Sequence, residues 1–358
     1  MKKFRVGILG ATGMVGQRYV DLLKNHSWFE IVLVAASERS AGKTYKSAVD
    51  SKWKMEDPIP EKVGNLVVEN VCNIDKIAKN VDFVFSAIGL NKEETKLLEE
   101  QYAKADIPVI SNNSAHRWTP DVPMVIPEIN LSHFQIIETQ KKRLGTSKGF
   151  IAVKPNCSIQ SYTPILAAWK KFKPTEVNVC TYQSVSGAGK TLEDWKEMQG
   201  NVIPFIEGEE EKSEREPLRI LGEYIDNEIK PRADMQLSCQ CIRVPVLYGH
   251  TAAVSIKFDE TVSEQELIES LNDYEVDPMV LDLPCSPKKF ITYFEENDRP
   301  QVLRDVNIEK GMGISVGRLR EDSIFDYKFV ALSHNTIRGA AGGAILSAEA
   351  LAKMGYLG

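Results

Sequence analysis

The chain has 358 residues, enough for two domains of ordinary size. Hydrophobic residues make up 43% and charged residues 26%, the balance of a soluble globular protein rather than a disordered or fibrous one. A net charge of −6 gives no electrostatic basis for a nucleic-acid partner, and no segment is long and apolar enough to cross a membrane. The basic start leads into an apolar run too short for a signal peptide. Six scattered cysteines fit a reduced, cytoplasmic protein better than a disulfide scaffold. Cys239-Gln-Cys241 has no second paired motif and no nearby histidine, so no metal site is expected.

Phe4 to Leu9 reads as a buried parallel strand. Gly10-Ala-Thr-Gly13-Met-Val-Gly16 follows, and then a helix through Tyr19, Val20, Leu22 and Leu23. Glycines between a strand and a helix let the backbone approach a pyrophosphate, which sits on the helix N-terminus. The second strand, Glu30 to Ala36, ends in Ser37-Glu-Arg39-Ser40 with Lys43 close by. Ser37, Arg39 and Ser40 offer donors for a 2′-phosphate and favour NADP, while Glu38 is a competing signal for NAD.

Val81 to Ala87 is a further buried strand and contains Ser86. A helix over Lys92 to Ala105 and a strand over Pro108 to Ser111 complete a βαβ pattern. The loop after that strand carries Arg117, placed at the carboxyl edge of the sheet where anions bind. His133 lies in a polar stretch and is expected at the surface, as is the basic segment 139–143.

Phe150 to Val153 reads as a short strand, and Pro155-Asn156 breaks it. Ile159, Tyr162, Ile165, Leu166 and Trp169 then recur at helical spacing. Cys157 is thereby expected on the first helical turn, where free N–H groups and the dipole favour a thiolate and an oxyanion. Against this stands the ordinary fate of a cysteine, which is to be buried in a core.

Glu176 to Val185 alternates as a strand and runs into the loop Gln183-Ser-Val-Ser-Gly187-Ala-Gly189. That loop could cradle a phosphate or approach a nicotinamide ring. Thr191 to Phe205 reads as helix, the acidic run 207–212 as a solvated connection, and Glu214 to Ile229 as a helix with Pro217 in its first turn. Gln240 to Val246, with Arg243, and Thr251 to Phe258 read as strands, with His250 at a strand end. The small-residue helix from Asn335 to the end is expected to return to the first domain. The fold class is therefore α/β: a Rossmann domain over 1–150, completed by 335–358, and an α+β domain over 151–334.

Taken jointly, Gly10–Gly16, Pro155-Asn-Cys157-Ser, Gln183–Gly189, Arg243 with His250, and Asn335-Thr-Ile-Arg-Gly resemble the aspartate-semialdehyde dehydrogenase family, in its archaeal and fungal branch. The resemblance implies that residues 151–334 form a catalytic and dimerisation domain, that NADP is the cofactor and that the enzyme is a homodimer or homotetramer. It implies an acyl-thioester on Cys157, acid/base work by His250 and substrate orientation by Gln183. It further implies α-carboxylate binding by Arg243, amino-group and phosphate binding by Glu216 and Arg219, and phosphate binding by Arg117, with Asn156 beside the nucleophile. Arg219 is a lysine in the bacterial branch. The cofactor side is expected at Gly10, Thr12, Gly13, Met14, Val15, Ser37, Arg39, Ser40, Ser86, Gly187, Gly189, Asn335 and Thr336. Two rival readings are a malonyl-CoA reductase, which needs no amino-group ligand such as Glu216, and a catalytically silent NADP-binding regulator.

Overall fold

A strand that is apolar on both faces needs cover on both faces, and the chain supplies it. In the computed structural model, which describes residues 3–358, β1 (Phe4–Leu9) lies inside a parallel sheet. Its neighbours are β2 (Phe29–Ala36), β3 (Glu69–Asn70), β4 (Phe83–Ser86), β5 (Val109–Ser111) and β6 (Ile151–Val153). Their order is β3-β2-β1-β4-β5-β6, the doubly wound arrangement with its switch point between β1 and β4. Because β6 pairs in parallel with β5, the first sheet runs past position 150 to Val153.

The second sheet is mixed. It contains β7 (Pro174–Gln183), β10 (Gln236–Arg243), β11 (His250–Phe258), β12 (Ile291–Phe294), β13 (Ile314–Glu321) and β14 (Tyr327–Ser333). The order is β10-β7-β11-β14-β13-β12, parallel at its two outer pairs and antiparallel within. A hairpin of β8 (Glu223–Ile225) and β9 (Glu228–Lys230) stands apart.

The segment after Cys157 ties the two sheets together. It is a single 3₁₀ turn, Ser158–Gln160, followed by a separate helix, Thr163–Ala168, rather than one continuous helix. Asn156 explains the break: its Oδ1 accepts from Ser158 N at 2.6 Å and Ser158 Oγ at 2.7 Å, a side-chain turn that competes with helix. Beyond it, Trp169 is fully buried, donates Nε1 to Leu267 O and meets Phe329 edge to face. Truncating an aromatic anchor of this kind costs about 3–5 kcal/mol.

Further expectations give way. Thr191 to Phe205 forms only the turn Lys196–Met198. Asp194 Oδ2 accepts from Thr191 N and Oγ1, and Gly200 takes φ +70, so local polar bonds and glycine outcompete the helix. The acidic run is not a linker: a helix spans Glu209–Ile220, and its three leading acids suit the positive helix end. Pro217 sits inside this helix and cannot donate to Ser213 O; Tyr162 Oη donates to that carbonyl instead, at 2.7 Å. Residues 223–230 form the hairpin in place of helix. Finally, His133 is 1% exposed, packed between Asn130 and the Gly222 carbonyl, and Gln140 in the basic segment is buried against β6.

The last helix, Gly342–Lys353, is buried through most of its length and packs on the first sheet at β5. A buried hydrogen bond and a buried ion pair fasten this end of the chain: His26 Nε2 with Glu349 Oε1 at 2.6 Å, and Arg338 Nη2 with Glu128 Oε1 at 2.6 Å.

Burial pushes His133 down to about 4 and His250 and His334 to about 3, below the usual histidine value near 6.5. The unfolded chain therefore binds more protons than the folded one between those values. Stability is whole above about pH 6.5 and falls as pH drops toward 4. The unfolding free energy from urea titration is expected to fall between pH 7.5 and pH 5, by on the order of a few kcal/mol, and to fall less in His133→Gln. A flat profile in the parent protein would contradict this account.

Candidate active site

Strand register places the central groups. On one side of β7, Gln183 is paired with Arg243 of β10; on the other it is paired with His250 of β11. Directly paired residues share a sheet face, so Arg243, Gln183 and His250 stand in a row across three strands. Arg243 and His250 therefore belong to different strands, with Gln183 between them. All three are buried, at 6%, 1% and 0% exposure, so each is shielded from competing water.

Cys157 reaches this row from the seam between the sheets. Its Sγ lies 3.3 Å from His250 Nε2. His250 Nδ1 accepts from the Ser184 N–H at 3.1 Å and touches Ser184 Oγ at 3.3 Å. A ring nitrogen that accepts from a main-chain N–H holds its lone pair there. This assigns the proton of the neutral ring to Nε2, facing the sulfur. Burial pushes the thiol up to about 11, with the Glu209 carboxylate adding to the rise, and holds the imidazole near 3. The pair thus rests as thiol and neutral imidazole. The helix-start effect expected for Cys157 is small here: one 3₁₀ turn follows, and the Ser158 N–H is already taken by Asn156.

Two glycines make room. A Cβ on Gly187 would lie 2.9 Å from Arg243 Nη1 and 3.1 Å from His250 Nε2, so the loop backbone lies against this row. A Cβ on Gly339 would lie 2.9 Å from Cys157 Cβ. Gly189 takes φ +70 at the exposed end of the loop. Asn335 braces the assembly, accepting from Gly249 N and donating to Ser186 Oγ. Its amide is a strut between loops, and Thr336 beside it donates its main-chain N–H to His334 Nδ1.

Below the cysteine lies a charged network. Glu216, fully buried, accepts from Arg117 Nη1 at 2.9 Å and from Asn156 N at 2.6 Å. Arg117 also donates to the Lys154 and Asn112 carbonyls. Asn156 Nδ2 donates to Glu209 Oε1 at 2.8 Å. Arg243 Nη1 donates to Ser184 O, leaving the rest of its planar fork for a ligand. Arg219 is placed elsewhere: its Nη2 points to the carbonyls of Thr119, Pro120 and Val122, clamping that loop. Sequence reasoning missed Lys154, Ser184, Glu209 and Gly339. Glu209 was legible, because Glu209, Ser213 and Glu216 repeat at helical spacing along one buried stripe.

The glycine turn at the switch point fits a dinucleotide. Gly10 takes φ +78, and a Cβ there would lie 2.1 Å from Ala87 O; a Cβ on Gly16 would lie 2.3 Å from Gly10 O. Gly13 caps the helix Met14–Leu23 without a side-chain bond, and no acid occupies the first turn. Thr12, Met14 and Val15 line this open helix start, whose N–H groups suit a pyrophosphate. Ser37 and Arg39 are exposed and Ser40 half-buried after β2, free for a 2′-phosphate, with Glu38 also exposed. The Ser86 hydroxyl turns away and donates to buried Glu99. Among the described residues, His26, Cys285 and Glu349 are close enough to share a metal ion. However, His26 Nδ1 accepts from Trp28 N and Phe29 N, so Nε2 carries the proton and donates to Glu349 rather than to an ion.

A doubly wound nucleotide-binding domain joined to a sheet that faces a cysteine with histidine, glutamine and arginine defines a thiol-dependent dehydrogenase of aldehydes. The first half matches the family model "Semialdehyde dehydrogenase, NAD binding domain" over residues 5–137, and residues 163–338 match "Semialdehyde dehydrogenase, dimerisation domain". The aspartate-semialdehyde dehydrogenase of Archaeoglobus fulgidus is 42% identical over 98% of each chain, and that of Aspergillus fumigatus 41% over 99% of each. The crystal structure of the Candida albicans enzyme with NADP superposes with a TM-score of 0.88 at 37% identity, covering 99% of this chain and 100% of that one. The chain belongs to the aspartate-semialdehyde dehydrogenase family.

Separate strands allow separate jobs to be tested. His250→Asn is expected to lower kcat by about 10²–10⁴ with little change in KM for the aldehyde. Arg243→Lys keeps the charge but loses the fork and is expected mainly to raise that KM. Cys157→Ala should abolish turnover and leave cofactor binding intact. Circular dichroism should stay normal in all three variants. A pure KM defect in the histidine variant would reverse the assignment.

Proposed function

We propose that this protein reduces L-aspartyl 4-phosphate to L-aspartate 4-semialdehyde, reversibly, with NADP. The observation that carries the reading is the contact of Cys157 Sγ with His250 Nε2 beside a free guanidinium fork on Arg243. NADP, when bound, supplies or accepts the hydride; the glycine turn, the open helix start and the Ser37–Ser40 loop would hold it. Arg243 grips the substrate α-carboxylate through two parallel N–H donors. Gln183, next to it in register, orients the substrate. The Cys157 sulfur attacks the acyl phosphate carbon, and the carbon–oxygen bond to phosphate breaks, giving a thioester. In the reductive direction, His250 Nε2–H donates to the oxygen of the thiohemiacetal as it forms; that hydroxyl returns the proton as the carbon–sulfur bond breaks, releasing the aldehyde and the Cys157 sulfur, and the oxidative direction runs these steps in reverse. The Ser184 hydroxyl at Nδ1, 3.2 Å from Ser186 Oγ, offers a path for exchanging that proton.

Glu216 supports the amino-acid substrate over a coenzyme A thioester, because a buried carboxylate beside the site suits an ammonium group. Its oxygens are engaged by Arg117 and Asn156, so substrate binding would shift one of those bonds. Arg117 is the better candidate phosphate ligand, since Arg219 is turned to the 119–122 loop. The reading places the enzyme in the cytoplasm, in lysine, threonine and methionine biosynthesis. A homodimer or homotetramer is proposed on the dimerisation-domain match and on the exposed Tyr182 face of β7, opposite the site.

The deciding assay is phosphate-dependent NADP reduction with aspartate semialdehyde, compared with malonate semialdehyde plus coenzyme A. Faster turnover of the second pair would overturn the proposal. Arg39→Ala is expected to weaken NADP binding and leave NAD binding little changed. Equal loss for both cofactors would show that Arg39 does not read the 2′-phosphate.

A further inference from the structure

Lys154 opens the turn that carries Cys157, and it is 2% exposed. Lysine is almost never buried without a partner anion. Among the described residues, its one hydrogen bond goes to an uncharged group, the Pro155 carbonyl at 3.0 Å from Nζ. The nearby acid is already matched, since Glu216 is held by Arg117 and by Asn156 N. Arg117 and Arg338 also act on Lys154, and both are cations. The remaining group near Lys154 that can become an anion is the Cys157 thiol.

The backbone fixes this proximity. Gly339 lies in the turn that leads into the last helix and Gly343 in that helix's first turn, with a backbone kink at Ala340 between them. A Cβ on Gly339 would lie 2.9 Å from Cys157 Cβ, and one on Gly343 would lie 2.8 Å from Lys154 Cε. Both side chains therefore rest on one glycine ridge, which admits them only because neither position carries a side chain. Ser184 and Arg243 complete the case from the other side. The Ser184 N–H holds His250 with its Nε2 proton toward the sulfur, so the resting histidine offers a donor and no lone pair to the thiol.

We propose that Lys154 is a positioning residue for the reaction: its ammonium supplies the buried counter-charge that lets Cys157 become a thiolate. The thiol gives up its proton and the lysine is protonated, so the site keeps the same net charge and no unpaired charge is created. A buried amine and thiol that interact in this way titrate as a pair. In keeping with this, burial brings Lys154 down to about 7, where it can gain a proton near neutral pH, and the neighbouring Cys157 opposes that fall. The other charges facing the sulfur are Glu209, which disfavours the thiolate, and Arg117 and Arg243, which favour it.

This inference rests on Cys157 as the reacting thiol, but its test needs no substrate and so fails independently of the proposed reaction. The rate of Cys157 alkylation by iodoacetamide is followed from pH 6 to pH 10 by peptide mass in the full-length protein. Lys154→Met is expected to slow alkylation at pH 8 at least tenfold and to move the rise of the profile to higher pH. Lys154→Arg keeps a cation and is expected to stay within about threefold of the parent. The NADP affinity and thermal midpoint of both variants should match the parent, since the Met variant removes a buried charge with no carboxylate partner. Two results would overturn the proposal: a parental profile in Lys154→Met, or equal slowing in both variants, which marks a packing role. If Lys154→Met does not fold, a Lys154→Arg profile slowed tenfold or more overturns it as well, and a parental one supports it.

Discussion

The site depends on the double pairing of Gln183. One strand, β7, is parallel to one neighbour and antiparallel to the other, and its last residue is in register with both. A slip of one residue on either side would turn Arg243 or His250 to the opposite face of the sheet. The register is secured beyond the sheet as well. The main-chain N–H groups of Cys239 and Cys241, on the outer edge of β10, are capped by Glu214 and Glu210 from the helix Glu209–Ile220. The same helix carries Glu209 and Glu216 to the cysteine turn. Edge capping and the charged network are thus two faces of one helix.

Burial and charge pull against each other at the reacting groups. Burial pushes the Cys157 thiol up to about 11, so the resting site at neutral pH holds the thiol rather than the thiolate. Desolvation is the larger effect on both cysteine and histidine, and the positive groups around the sulfur offset it only in part. Exclusion of water protects the thioester, and it also makes the resting nucleophile weak.

Much of this was legible in the sequence because it depended on local pattern. The glycine turn, β1, β2 and the helix Lys92–Lys104 followed from periodicity and from punctuation by glycine and asparagine. The two-sheet division and the cysteine, histidine, glutamine and arginine of the site were also readable. What could not be read was decided by distant partners. His133 looked like a surface residue until Gly222 and Asn130 enclosed it. Pro217 looked like a helix start, yet Tyr162, 55 positions away by sequence numbering, satisfies the carbonyl that the proline abandons. Arg219 was matched to a phosphate ligand by the resemblance alone, and in the structure its guanidinium donates to a loop a hundred positions earlier.

The path of the chain has a consequence for biosynthesis. The first sheet is laid down by the earliest residues, yet buried polar groups beside it are matched by the latest. His26 meets Glu349 across 323 positions, and Glu128 meets Arg338 across 210. Those partners are synthesised more than 200 positions after the groups they meet, so both pairings wait until the second domain has been made. The two ends of the chain finally lie together, with a Cβ on Gly358 only 4.0 Å from the Phe4 ring. A circular permutant joined there and opened at an exposed turn would keep every contact, while changing which half is complete first.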